Sequence, residues 1–195
     1  MRTVAVTISC LLVLGCGAAF AQGPQNKDLF ILAGPVGGTS QGIPGSILSI
    51  STRSGLALQQ GFGHQLLSTT AGYLYLEIPL TFNFPGNATA DGIPFSRRLI
   101  TNYFTPGIRF KVPVTDRLSF HALLGGGFGT FRRYELDPSI FNRVVTHCTV
   151  DGVFDFGGGI DFRLSRGFSL RFETRDFVGG GRHHVIPMAG IALHF

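Results

Sequence analysis

The chain has 195 residues, of which 44% are hydrophobic and 14% charged, with 28 glycines, 19 phenylalanines, no tryptophan and a net charge of +5. The charged fraction lies well below the usual quarter of a soluble domain, and beyond the N-terminus no run of 18 or more apolar residues offers a membrane-spanning helix. These numbers exclude a helical membrane span after the N-terminus and leave many Phe side chains to place: a soluble domain would have to hide them, whereas a barrel in lipid can display them outward.

The N-terminus reads as an export signal. Arg2 supplies the positive charge, Val4 to Leu14 is mostly apolar, and Ala19-Phe20-Ala21 has the small-x-small pattern of a cleavage site. Residues 1–21 are expected to be the signal peptide and 22–195 the mature domain. A second reading stays open, in which Val13-Leu14-Gly15-Cys16 is a lipoprotein box and Cys16 is acylated. The Leu two positions before the Cys fits that box poorly, and either route exports the chain. Only Cys148 lies beyond the signal, so the mature domain is expected to hold no intramolecular disulfide.

Period-two alternation then predicts strands at about 28–37, 55–64, 72–84, 101–112, 117–132, 148–164, 167–178 and 184–195. The first two are interrupted by Pro35 and several glycines. In the third, Leu74, Leu76, Ile78, Leu80 and Phe82 share one face, and Tyr73, Tyr75, Glu77, Pro79 and Thr81 the other. In the sixth, Val150, Phe154, Phe156, Ile160, Phe162 and Leu164 oppose Asp151, Asp155, Asp161 and Arg163. In the seventh, Phe168, Leu170 and Phe172 oppose Ser169, Arg171, Glu173 and Arg175. The last strand sets Phe195, Leu193 and Ile191 against His194, Ala192 and Gly190. Scattered Gly and Pro leave no sustained helical pattern.

Connections alternate in length. Long Gly-, Ser- and Pro-containing stretches at 38–54, 85–100 and 133–147 are separated by the intermediate turn near Ser68-Thr69-Thr70 and by the short turns Pro113-Val114-Thr115-Asp116 and Ser165-Arg166. Antiparallel strands in even number, with short turns at one rim and long loops at the other, describe an outer-membrane barrel. The expected fold is all-β, an eight-stranded antiparallel up-and-down transmembrane β-barrel with both termini at the short-turn, periplasmic rim. A lipocalin-type barrel or a sandwich would share the alternation with the apolar face turned inward. The density of Phe and Leu on one face, against Gly, Ser and paired charges on the other, favours the apolar face outward.

Tyr73-Leu74-Tyr75-Leu76-Glu77-Ile78-Pro79-Leu80, the run Leu124-Gly125-Gly126-Gly127-Phe128-Gly129 and the terminal Phe195 carry a resemblance to the small bacterial outer-membrane β-barrel proteins. These include opacity-type surface antigens and the transmembrane domain of outer membrane protein A, and the resemblance covers nearly the whole mature chain. It implies residence in the cell outer membrane and recognition of Phe195 by the barrel-assembly machinery as an assembly signal. The chain departs from the pattern in having no Trp and four Tyr, so aromatic girdles would be built from Phe and Tyr, such as Tyr103 and Tyr134.

An eight-stranded interior is just wide enough to be filled by side chains. The expected lumen charge network comprises Glu77, Arg109, Lys111, Asp151, Asp155, Asp161, Arg163, Arg171, Glu173 and Arg175, which must pair because an isolated buried charge costs several kcal/mol. Glycines 125, 127, 129, 157 and 159 are expected to make room across the lumen. Ser119 and His121 share a face at a spacing that would permit a nucleophile–base pair, but they sit near the periplasmic rim and point inward, and a hydrogen-bonding role is the better reading. Adjacent His183 and His184, placed in the last outer loop, point oppositely and make poor co-ligands for a metal. Arg97, Arg98, Arg132, Arg133, Arg143 and Arg182 lie in or beside the predicted outer loops, where guanidinium groups suit the phosphates of lipopolysaccharide; solvated loop charge is the alternative.

The sequence therefore points to a structural or surface-interaction barrel, monomeric, without catalysis, metal or cofactor, contacting outer-membrane lipid and lipopolysaccharide and no nucleic acid. A small pore or passage for hydrophobic compounds is the main alternative, and a lipid-A-modifying enzyme the remaining one.

Overall fold

A computed structural model describes residues 26–38, 40–42, 49–84, 86–90, 93–98, 101–136 and 144–195. The expected signal peptide, its cleavage site and Cys16 lie outside them. The elements are β1 (Lys27–Val36), β2 (Ser40–Gly42), β3 (Ser49–Thr52), β4 (Gly55–Thr69), β5 (Gly72–Phe84), β6 (Asn87–Ala90), β7 (Ile93–Arg98), β8 (Thr101–Phe104), β9 (Gly107–Pro113), β10 (Leu118–Leu136), β11 (Val144–Arg163), β12 (Phe168–Gly179) and β13 (Arg182–His194).

Eight antiparallel staves close on themselves. β8 and β9 form one stave interrupted at Thr105-Pro106, and both pair with β5 on one side and β10 on the other. Closure comes from β1 against β13, with Leu29 opposite Leu193 and Ile31 opposite Ile191. Two reciprocal backbone hydrogen bonds of 3.0 Å between Lys27 and Phe195 extend that seam. No edge of the barrel is left for pairing with another chain.

Three differences from the sequence reading have physical causes. The long connections 38–54 and 85–100 contain β2, β3, β6 and β7, which form their own four-stranded sheet; their Ser- and Thr-rich segments carry no apolar alternation, so pairing there leaves no hydrophobic signature. The connection 133–147 shrinks, because β10 and β11 continue pairing up to Leu136 opposite Val144. Arg132-Arg133 ends the apolar pattern without ending the hydrogen-bonded ladder. Finally, Arg182, His183 and His184 are not in a loop. β12 turns into β13 through Gly180 and Gly181 alone, with φ of +58° and +74°, the left-handed pair of a tight hairpin turn.

Facing follows parity. Leu76, Phe110, Phe120, Phe128, Phe154, Phe156, Phe172 and Ile191 are exposed on the outer wall, while Glu77, Arg109, His121, Asp155, Asp161, Arg171, Glu173 and Arg175 are buried inside. Phe195 continues the register of Leu193 and Ile191 through its backbone pairing with Lys27. β5, β12 and β13 hold 13, 12 and 13 residues, each more than the 9–11 needed to cross a bilayer at a tilt.

Candidate functional site

The lumen has two layers, and the lower one is ionic. Alternation on β12 brings Arg171, Glu173 and Arg175 inward in succession, so an acid lies between two guanidinium groups on one strand. Arg175 donates from Nε to Glu173 Oε1 at 2.5 Å, from Nη1 to Asp155 Oδ2 at 2.9 Å and from Nη2 to Glu77 Oε1. Arg171 donates from Nε to Asp161 Oδ1 at 2.8 Å and from Nη2 to Asp28 Oδ2 at 3.2 Å. Arg109 Nη1 lies 2.7 Å from Glu77 Oε2, and its Nη2 donates to Asp28. Lys111 Nζ donates to Asp161 Oδ2 at 2.6 Å. Each cation thus serves carboxylates from neighbouring or facing staves, which is the arrangement that can compensate the desolvation of buried charge.

Polar side chains finish the layer. His121 Nε2 lies 3.2 Å from Glu173 Oε2. Gln59 donates to Glu173 Oε1 at 3.2 Å and accepts from the Thr81 hydroxyl at 3.0 Å. Two rings cover guanidinium faces: Arg109 stands 4.7 Å from the Tyr75 centroid and Arg171 4.7 Å from that of Phe30, within cation–π range.

Above the ions, toward the long-loop rim, the lumen is apolar. Tyr103, Phe131 and Phe177 meet there with Leu32, Val36, Val153, Ile186 and Met188. Tyr103 stacks on Phe177 with centroids 4.5 Å apart and planes 17° apart, and its hydroxyl lies 2.8 Å from His184 Nδ1. Tyr103 is therefore not a girdle residue as expected: it points into the barrel at 1% exposure. Tyr134 belongs to β10, where its strand position alone is described.

Eight of the ten expected network residues are buried in this ion-paired layer: Glu77, Arg109, Lys111, Asp155, Asp161, Arg171, Glu173 and Arg175. Two stand apart. Asp151 is half-buried nearer the outer rim and accepts from the Thr149 hydroxyl at 3.4 Å. Arg163 shares the inward parity of Asp161 but is exposed at the short-turn rim. The sequence reading missed Asp28 and Gln59, and it placed Thr81 on the face of Glu77 without joining it to the network. Asp28 alternates with Phe30 and Leu32 on the inner face of β1, and the apolar residues on both faces of that strand hid its parity.

Ser119 and His121 form no catalytic pair. His121 turns to Glu173 and Asp161, and nothing links it to the Ser119 hydroxyl. His183 projects outward beside Asp176, 2.9 Å from it, and His184 projects inward to Tyr103. Cys148 is an exposed free thiol. Among the described residues no group of three or more His, Cys, Asp or Glu could hold a metal ion. Of the expected loop arginines, Arg97 and Arg98 lie on β7, Arg132 and Arg133 on β10 and Arg182 at the start of β13, while Arg143 lies outside the described residues.

No protein-family model matches the chain, and no curated protein matches its sequence. Solved structures do match its fold. The barrel is similar to neisserial surface protein A, at a TM-score of 0.60 and 10% identity over 89% of this chain and all of that one. It is also similar to the attachment invasion locus protein of Yersinia pestis, at 0.53 and 12% identity, covering 87% of this chain and 99% of that one. The N-terminal β-barrel domain of Pseudomonas aeruginosa OprF matches at 0.50 and 9% identity, covering 88% of this chain and 98% of that one. The fold is that of the small eight-stranded outer-membrane barrels.

Proposed function

We propose that this chain is exported to the outer membrane and stands there as a non-catalytic barrel that presents its long connections at the cell surface. The observation carrying this reading is the inverted distribution of polarity. Arginines 109, 171 and 175 are at most 2% exposed, whereas Phe128, Phe154 and Leu164 are 54%, 49% and 58% exposed. In water each exposed large apolar side chain would forgo roughly 1.5–3 kcal/mol of burial, and a continuous belt of them would aggregate. In lipid the same belt is solvated.

The lumen supports a structural role. An ion-pair layer and an aromatic layer lie in series along the axis. Display of the arginine-bearing outer segments toward anionic lipopolysaccharide follows from the positions of Arg97, Arg98, Arg132, Arg133, Arg143 and Arg182 in the chain, and from the fit of guanidinium to phosphate. Export through a cleaved signal peptide belongs to the same reading.

Electrophoresis of unboiled and boiled outer-membrane fractions tests the placement. A folded barrel runs with heat-dependent mobility and sediments with the outer membrane; recovery in the soluble periplasm without a shift would refute the reading. Binding of purified lipopolysaccharide to the wild type and to an Arg132→Gln/Arg133→Gln variant tests the surface contact, which fails if the two bind alike.

A further inference from the structure

The two mouths of the barrel are not equivalent. At the long-loop rim the connections carry their own β-sheet, whereas at the other rim the turns are short and the lumen opens directly beneath the ion-pair layer. There the structure has a bowl of about 320 Å³ with a polar wall. That is room for several waters or one small hydrated solute. Its inner end is Lys111, whose ammonium is anchored on Asp161 at 2.6 Å. Arg163, Ser119, Tyr73 and His194 line its sides.

The wall is rich in donors that the protein leaves unused. Among the described residues no hydrogen bond or ion pair engages the Arg163 guanidinium or the hydroxyls of Ser119 and Tyr73. Ser119 is 8% exposed and its side chain borders the bowl. His194 Nε2 is held by the Ser169 hydroxyl at 2.8 Å, which fixes its ring at the wall. The acid in the lining is Asp116, exposed in the turn before β10. Lys111 is balanced by Asp161, so the donors left to the bowl are the Arg163 guanidinium and the Ser119 and Tyr73 hydroxyls, with Asp116 in the lining; these donors suit an anion. A guanidinium fork with adjacent hydroxyl donors matches the tetrahedral oxygens of phosphate.

We propose that this periplasmic bowl is a binding site for a small soluble phosphate species, gripped by Arg163 and Ser119 with Lys111 beneath. Membrane lipid phosphates lie around the outer wall, while the bowl opens on the barrel axis, so the ligand enters from the aqueous periplasm. Lumen ion pairs stop it from passing further.

The test uses the folded barrel in an uncharged maltoside detergent, titrated with inorganic phosphate at constant ionic strength set by chloride. Backbone amide shifts of residues 111–119 and 159–163 report occupancy. Saturable shifts are expected in the wild type, with the midpoint raised at least tenfold in Arg163→Gln and raised by a smaller factor in Ser119→Ala. Arg163 is exposed and outside the ion-pair layer, so Arg163→Gln should keep the heat-dependent mobility of the folded barrel. Shifts that do not saturate, that chloride alone reproduces, or that persist with an unchanged midpoint in folded Arg163→Gln would overturn the proposal.

Discussion

Arg109 Nη1 and Glu77 Oε2 lie 2.7 Å apart inside the barrel, with their side chains at 0% and 3% exposure. Arg109 is also the partner of Asp28, and so it joins β1 to β5 through β9. Replacing Arg109 by Ala leaves Asp28 with Arg171 and Glu77 with Arg175, each short of one cation. Removing one member of a buried pair typically costs about 3–5 kcal/mol. Urea unfolding of the protein refolded into lipid vesicles should show that loss in Arg109→Ala. An unchanged midpoint would mean that the ion-pair layer does not hold the barrel together.

Gly159 separates the role of space from the role of the charges. A Cβ there would lie 2.0 Å from the Phe172 carbonyl oxygen on β12 and 2.9 Å from His121 Nε2. Gly157 meets the Thr174 carbonyl in the same way, at 2.1 Å. These glycines admit the neighbouring backbone, whereas Gly125 and Gly129 admit the side chains of Asp155 and Tyr103. Gly159→Ala should lower the unfolding midpoint by the equivalent of about 1–3 kcal/mol, the usual range for overpacking. Gly152→Ala, with nothing within 4 Å of its Cβ, should leave the midpoint where it is.

Tyr103 is the centre of the apolar layer. Tyr103→Phe removes only the hydroxyl contact with His184 and should cost about 1 kcal/mol. Tyr103→Ala also removes the stack on Phe177 and should cost roughly 3–5 kcal/mol. Equal effects of the two substitutions in the same unfolding assay would show that the ring packing contributes little.

Most of the barrel was legible because lipid imposes a strict period of two. β5, β11 and β12 set large apolar side chains against charges at every second residue, and their parity could be read directly. β1 could not be read so, because its inner face carries Phe30 and Leu32 above Asp28, and both faces look apolar. The same cause hid the upper layer. Tyr103 was expected at the membrane interface because Tyr belongs there in this class of protein, yet its parity on the short β8 turns it inward. The extra sheet of β2, β3, β6 and β7 left no trace, since these short segments were read as parts of long connections. The ion pairs themselves were foreseeable from parity, but their partners were not, because the stagger of the staves sets which rows share a height.

The absence of tryptophan allows a direct test of which face meets lipid. Phe128 on β10 and Tyr103 on β8 occupy adjacent rows of one sheet, with Gly129 opposite Tyr103 and Phe128 opposite Phe104, so they lie at nearly the same depth. Phe128 is 54% exposed and Tyr103 1%. Tryptophan fluorescence is measured for Phe128→Trp and Tyr103→Trp, each refolded into vesicles with and without brominated acyl chains, and each checked for heat-dependent mobility. The account predicts strong quenching of Phe128→Trp and little of Tyr103→Trp. The reverse order, or equal quenching of two folded variants, would contradict an apolar outer wall around a charged and aromatic lumen.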